Sequence, residues 1–252
     1  MALSIFDKTF AVISDVHGNR WALEAVLQDI DRRGIRRFVN LGDCVYGPLD
    51  PSGTADLLIS LRQRTARGNE DRIIIDRNVS DEKSSTLAFT RLELKDRHLN
   101  WLAALPLSAT IEPDIFFFHG TPERDDHYLL REVTDRGLRD RSTEEVANLL
   151  SGINYPLVLC GHDHMPGTLT LPDGRLIVNP GSVGLQAYID DLPQHHFVSS
   201  KTPHARYAIV NRTGTGWTVE QAAVEYDWGI AAETAAANGR ADWARWLKTG
   251  VA

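Results

Sequence analysis

Short apolar runs and helix-spaced apolar stripes take turns along the chain. Residues 10–13, 38–41, 115–118 and 156–160 are nearly continuous apolar segments bounded by glycine or polar turns, the pattern of buried strands. Trp21, Leu23, Val26, Leu27 and Ile30 share one helical face between the first two, and Gly34 ends that helix as a C′ glycine. Pro51 opens a second helix through Leu57, Leu58 and Leu61, and a short strand is expected at 64–67. The pattern is helical from Asp71 to Leu105, where Pro106 stops it. Strands at 107–111 and 115–118 are expected around the turn Glu112-Pro113-Asp114. Residues 123–141 are charged and weakly periodic and read as a loop with a short helix. Ser142 to Glu145 has the form of a capping box. A hairpin is expected at 168–178 around Pro172-Asp173-Gly174, residues 186–204 show no clear pattern, and strands resume at 206–210 and 216–224. An alanine-rich helix is expected from Trp228 to about Lys248. Successive β-α units followed by consecutive strands predict an α/β chain, with a second sheet packed on the first and helices outside.

Composition narrows the partners. The 252 residues carry 42% hydrophobic and 24% charged positions, enough to bury a core, and no repeat or linker divides them, so one domain over residues 1–252 is expected. A net charge of −7 without a long block of Lys or Arg disfavours an extended nucleic-acid partner. Cys44 and Cys160 are the only cysteines, which excludes a disulfide framework or a thiolate zinc module. Met1 to Phe6 lacks the basic start and apolar stretch of a secretion signal, and no run approaches the ~20 apolar residues of a membrane helix. A cytoplasmic protein without membrane attachment is the expectation. The sequons at Asn78 and Asn211 then read as incidental.

The chemistry is concentrated where expected strands end. Asp15-Val16-His17, Gly42-Asp43, Gly68-Asn69, His119-Gly120 and Gly161-His162-Asp163-His164 all stand at or just past the carboxyl ends of strands, where open α/β sheets bind ligands. Asp15, Asp43, Asn69 and the histidines of these motifs offer two carboxylates, one amide and four imidazoles. That is about the inventory required by two divalent cations sharing one carboxylate, and it suits manganese, iron, zinc or nickel.

Motif order and type, including Asn179-Pro-Gly-Ser-Val-Gly184, resemble the calcineurin-like metallophosphoesterase superfamily in its small prokaryotic phosphodiesterase-type branch, from Ala11 to about Val210. The resemblance implies a four-layer α-β-β-α sandwich of two mixed sheets with outer helices. It implies two metal ions, with Asp15, His17 and His164 on the first, Asn69, His119 and His162 on the second, and Asp43 bridging both. It implies a phosphoesterase in which a metal-bridging hydroxide attacks phosphorus in line, acting on a small phosphate ester; the sequence assigns no oligomeric state. Protein Ser/Thr phosphomonoesterase activity and a non-catalytic metal-binding scaffold are the alternatives.

One position departs from the family pattern. A histidine often follows the Gly-Asn and reaches the leaving group; here Glu70 stands there, so Asp43, Asn69 and Glu70 are the candidate catalytic residues. Glu70 could serve as an acid if burial or a neighbouring carboxylate such as Asp71 raised its pKa. A carboxylate there should repel a dianionic monoester more than a diester, so phosphodiester or nucleotide-type substrates are favoured. His98 reads as a surface residue and His195, His196 and His204 as parts of a mobile loop. His127 and Tyr128 are placed at the cleft, Tyr46 and Arg206 as contacts to ligands or substrate, and Trp228, Trp243 and Trp246 as helix packing. Cys44 and Cys160 read as fillers of small buried spaces.

Overall fold

The structure is a computed structural model that describes residues 8–81, 84–111 and 113–252. Met1 to Phe6 and Glu112 of the expected turn lie outside the described residues. The first half of the chain alternates strand and helix: β1 (Thr9–Ile13), α1 (Arg20–Arg32), β2 (Phe38–Asn40), α2 (Pro51–Leu61) and β3 (Arg64–Thr65). Asn19 caps α1 by accepting a hydrogen bond from Ala22 N, and Gly34 follows it at φ +72°. Three short helices come next, α3 (Asn69–Ile75), α4 (Ser85–Glu93) and α5 (Asp96–Ala103). Then follow β4 (Ser108–Ile111), β5 (Ile115–Phe118), β6 (Arg131–Thr134), β7 (Gly137–Asp140), α6 (Thr143–Leu149) and β8 (Leu157–Leu159). The remainder is β9 (Pro166–Thr170), β10 (Leu176–Pro180), β11 (Ala187–Asp190), β12 (His196–Ser199), β13 (Ala205–Thr213), β14 (Gly216–Val224), α7 (Trp228–Ala237) and α8 (Ala241–Thr249).

Two five-stranded mixed sheets result, ordered β14-β13-β1-β2-β3 and β4-β5-β8-β10-β9. In the first, β1, β2 and β3 are parallel and β13 runs against β1; in the second, β5, β8 and β10 are parallel. Strand periodicity explains how the sheets stack. Phe10 and Val12 of β1 enter the core between the sheets with Phe117, Leu157, Leu159 and Val178, while Ala11 and Ile13 face α1, α2 and α5. On β5, Phe117 points inward and Phe116 and Phe118 outward under α6 with Val146 and Leu150. The four-layer α-β-β-α arrangement is therefore present, with α6 as the thin layer over the second sheet. No helix among the described residues is long and apolar enough to cross a membrane.

Several elements differ from the sequence expectation, each for a physical reason. The helical run from Asp71 to Leu105 is cut into three because Arg91 folds back and donates to the carbonyls of Ile73, Ile74, Asp76 and Val79, satisfying the end of α3. Residues 123–141 form the β6-β7 hairpin rather than a loop with a helix. The stretch 186–204, patternless in sequence, pairs as β11 and β12, Ala187 opposite Ser199 through Asp190 opposite His196. The C-terminal helix breaks at Gly239 (φ +79°) into α7 and α8, which pack on each other. The strand at 64–67 ends at Thr65, because Arg67 N turns to Pro106 O. His98 is buried, not a surface residue: it accepts from Lys95 N and meets Asp56 at 2.8 Å.

Candidate metal centre

The parallel strands of both sheets deliver their carboxyl ends to one edge of the sandwich. Asp15 and His17 follow β1, Asp43 follows β2, Asn69 opens α3 after β3, His119 follows β5, and His162 and His164 follow β8. Five of these residues, Asp15, His17, Asp43, His162 and His164, have φ between +51° and +73°. This left-handed geometry costs roughly 1–3 kcal/mol per non-glycine residue and persists only where surroundings over-determine it. Backbone bonds supply that constraint: Asp15 N to Gly42 O, His17 N to Asp43 O, Gly184 N to Asp15 O and Gly161 N to His119 O, all within 3.0 Å. Gly68 is required here, since a Cβ on it would overlap Asp43 Oδ1.

The side chains then converge in two sets, Asp15, His17 and His164, and Asp43, His119 and His162, each with ligand atoms within 4.8 Å of one another. His17 Nδ1 donates to Tyr46 O at 3.1 Å, His119 Nδ1 to Leu41 O at 3.0 Å and His164 Nδ1 to Leu185 O at 2.6 Å. A carbonyl only accepts, so in each neutral ring the proton sits on Nδ1 and a lone pair on Nε2. Those lone pairs face other acceptors. His17 Nε2 and His164 Nε2 are 3.1 Å apart, His164 Nε2 lies 3.3 Å from Asp15 Oδ1, and His119 Nε2 lies 3.2 Å from Asp43 Oδ2 and 3.1 Å from Asn69 Oδ1. Lone pairs at this spacing repel unless a cation or protons lie between them. Asp15 Oδ1 and Glu70 Oε2 are buried and accept no hydrogen bond. The oxygen and nitrogen donor set, its spacing and these two atoms fit divalent cations.

The charges agree. Burial opposes ionisation of His17 and His119, yet Glu70, Asp43 and Asp15 raise His17 to about 9, and Asp43 with Asp15 raises His119 to about 10. Burial pushes the Asp15 and Asp43 carboxyls up, but the imidazoles around them outweigh it and hold both below the usual range. Burial and the neighbouring His119 charge take His162 down to about 3. The site thus calls for positive charge at its centre.

Asn69 Oδ1 lies 3.1 Å from His119 Nε2, and Glu70 N donates to Asp43 Oδ1 at 2.9 Å. Glu70 Oε2 lies 3.0 Å from His17 Nδ1, whose proton is directed to Tyr46 O. The Glu70 carboxyl is raised to about 7 by burial and by Asp43, against the pull of His17. Asp71 is not the neighbour that perturbs it. Asp71 is fully buried and accepts from Asp43 N, Cys44 N and Gly68 N, each at 2.9 Å, fixing the turn that carries Asp43.

Two clefts open beside the centre. One, about 260 Å³, is walled by Tyr46, Glu70, Ser84, Tyr188, Arg240 and Trp243. The other, about 460 Å³, holds Arg124, His127, Tyr128 and Arg141 and shares Asn69, His162 and Asp190 with the first. Trp243 and Trp246, read from sequence as packing alone, also line the first cleft, and Trp243 stands edge-on to His17 at 6.0 Å. His196, read as part of a mobile loop, is buried and bonded to Tyr128. Arg206 meets Thr202, away from both clefts. Cys44 and Cys160 are buried free thiols.

The sequence profile of the calcineurin-like phosphoesterase superfamily domain matches residues 9–198. The chain belongs to this superfamily. This phosphoesterase is 32% identical to an uncharacterized protein of Methanocaldococcus jannaschii over 200 residues, 69% of this chain and 75% of that protein. Its fold is similar to that of a metallophosphoesterase from Sphaerobacter thermophilus, with a TM-score of 0.76 and 26% identity over 96% of this chain and 100% of the other. A hypothetical protein from Pyrococcus horikoshii has the same fold, with a TM-score of 0.73 and 20% identity over 96% of this chain and 98% of that one. Superfamily membership supports a hydrolase of phosphate esters.

Proposed function

We propose that this protein is a dinuclear, metal-dependent phosphodiesterase. The observation that carries the reading is the convergence of the Nε2 atoms of His17, His119 and His164, turned inward by their carbonyl-bound Nδ1 atoms, with buried carboxylate oxygens in two adjacent sets that meet near Asp43 and Asp15. His119 Nε2 lies 3.2 Å from Asp43 Oδ2 and 3.9 Å from Asp15 Oδ1. Asp15, His17 and His164 would hold one cation, Asn69, His119 and His162 the other, with Asp43 shared. Two such cations would ease ionisation of solvent at neutral pH and offset the charge that develops on phosphorus.

The protein's own groups do the rest. Asp43 is held by Asp71 through the backbone, so its carboxylate needs no reorganisation. Glu70 lines the cleft and, raised to about 7, can pass a proton to a departing oxygen. In its ionised form the same carboxyl opposes a second negative charge on the phosphoryl group, which favours a diester. The two clefts give the two substituents of a diester separate places. The net negative charge favours a small ester over a nucleic-acid strand, and two buried free thiols suit the cytoplasm.

The test compares bis(4-nitrophenyl) phosphate with 4-nitrophenyl phosphate, using chelator-treated protein reloaded with Mn²⁺, Fe²⁺, Zn²⁺ or Ni²⁺. Hydrolysis should require the metal and favour the diester. A monoester preference would overturn the substrate reading, and metal binding without any hydrolysis would point to a scaffold.

A further inference from the structure

Three of the four imidazoles in the centre are oriented by a backbone carbonyl, and the fourth is not. His17, His119 and His164 each donate from Nδ1 to a main-chain oxygen, whereas no hydrogen bond reaches either ring nitrogen of His162 among the described residues. Its ring is instead held between two others, His119 at 4.9 Å and Tyr128 at 4.7 Å between centroids, tilted by 50° and 55°. Tyr128 is itself fixed by a polar chain rooted in the β11-β12 hairpin. His196 Nδ1 lies 2.9 Å from Gln194 O, a pure acceptor, so the ring proton is on Nδ1 and Nε2 must accept. The Tyr128 hydroxyl, 2.9 Å from that Nε2, donates to it. The Tyr188 hydroxyl, 2.6 Å away, then donates to the Tyr128 oxygen, leaving its 3.4 Å contact with His162 O as the longer branch. Every proton in the chain has one direction.

We infer that Tyr128, Tyr188 and His196 are positioning residues that aim His162 at the second cation, in place of the carbonyl that aims each of the other three histidines. The inference rests on the dinuclear reading above. Two features concentrate the effect on one cation. The other histidine beside the hairpin, His164, touches the Tyr188 ring at 4.5 Å but keeps its own bond to Leu185 O, so it does not depend on the chain. The set containing His162 also has the neutral Asn69 where the first has the Asp15 carboxylate, so it tolerates a misdirected ligand less well. The β11-β12 hairpin therefore governs how firmly one of the two metals is kept.

Calorimetric titration of Mn²⁺ into the chelator-treated full chain tests this without reference to turnover. The wild type should show two binding events. Tyr128→Phe and His196→Ala should each weaken one of them by roughly 10–100-fold, the scale of losing an orienting partner, and leave the other unchanged. His196→Gln, whose side-chain amide can accept at the position of Nε2, should recover most of the loss, which a general packing defect would not allow. Equal weakening of both events, no weakening, or failure of His196→Gln to recover would each overturn the inference while leaving the dinuclear reading intact. A wild type that binds no Mn²⁺ would remove both.

Discussion

The edge where the strands end and the walls of the two clefts are built by different means. At the edge, candidate ligands sit on left-handed backbone locked by main-chain bonds between neighbouring strand ends, and buried Asp71 clamps the turn that carries Asp43 to the one at Gly68. In the walls, side chains hold side chains: Tyr46 meets Ser84 at 2.9 Å, Arg240 pairs with Asp242 and reaches Thr86, and Tyr128 leans on Tyr188 and His196. The edge is rigid because the fold itself would have to open before a ligand could move. The walls are adjustable, because a substitution there changes one contact and leaves the backbone in place. Under the proposed function, metal-borne chemistry would belong to the first and choice of substrate to the second.

The largest expected effect breaks this division at the edge. Asp43→Ala removes the carboxylate shared by both sets and should lower turnover by at least roughly 10²–10³-fold, measured in metal-scrubbed buffer with added Mn²⁺. Full retained turnover would refute the assignment of Asp43. Glu70→Gln probes the wall. It keeps the shape and drops the charge, so the ratio of diester to monoester hydrolysis should fall by roughly fivefold or more, given ~1–4 kcal/mol for one charge pair at about 4 Å. An unchanged ratio would show that Glu70 does not select the substrate.

The smallest effect sharpens the electrostatics of the edge. His17 and His119 titrate near 9 and 10 in the metal-free fold, against 6.5 for free histidine. Between pH 6.5 and 9 that fold binds more protons than the unfolded chain, so its stability falls as pH rises. His162, taken down to about 3, acts in the opposite sense and costs stability only below pH 6.5. Cations take the place of the protons on His17 and His119. The Tm of chelated protein should therefore drop from pH 6.5 to 9, and the gain on adding Mn²⁺ should grow over the same interval. A gain that shrinks with rising pH would contradict the charge pattern.

The edge was legible in the sequence and the walls only in part: Tyr46, Glu70, His127 and Tyr128 were readable as cleft residues, but the partners that hold the walls were not. A strand followed by a turn leaves a local record, an apolar run and then glycine beside an acid or histidine, as at Leu41-Gly42-Asp43 and Cys160-Gly161-His162. Asp71 was visible but misplaced: its backbone clamp depends on Cys44 and Gly68 meeting in space, so a sequence neighbour of Glu70 looked like its electrostatic partner. The walls leave no such record. Tyr128 meeting His196 in the wall, like Arg91 closing α3 and His98 sinking against Asp56 elsewhere, joins residues distant in sequence, with separations from 12 to 68 positions. The β11-β12 hairpin was hidden because its strands carry polar residues, Asp190 and His196, directed to neighbours that only the folded chain supplies.

The donors at the edge come from both halves of the sandwich. Asp15, His17, Asp43 and Asn69 extend from one sheet, and His119, His162 and His164 from the other. Any ion seated among them acts as a rivet across the seam between the two sheets. Catalytic competence and the cohesion of the sandwich would then be lost to a chelator together.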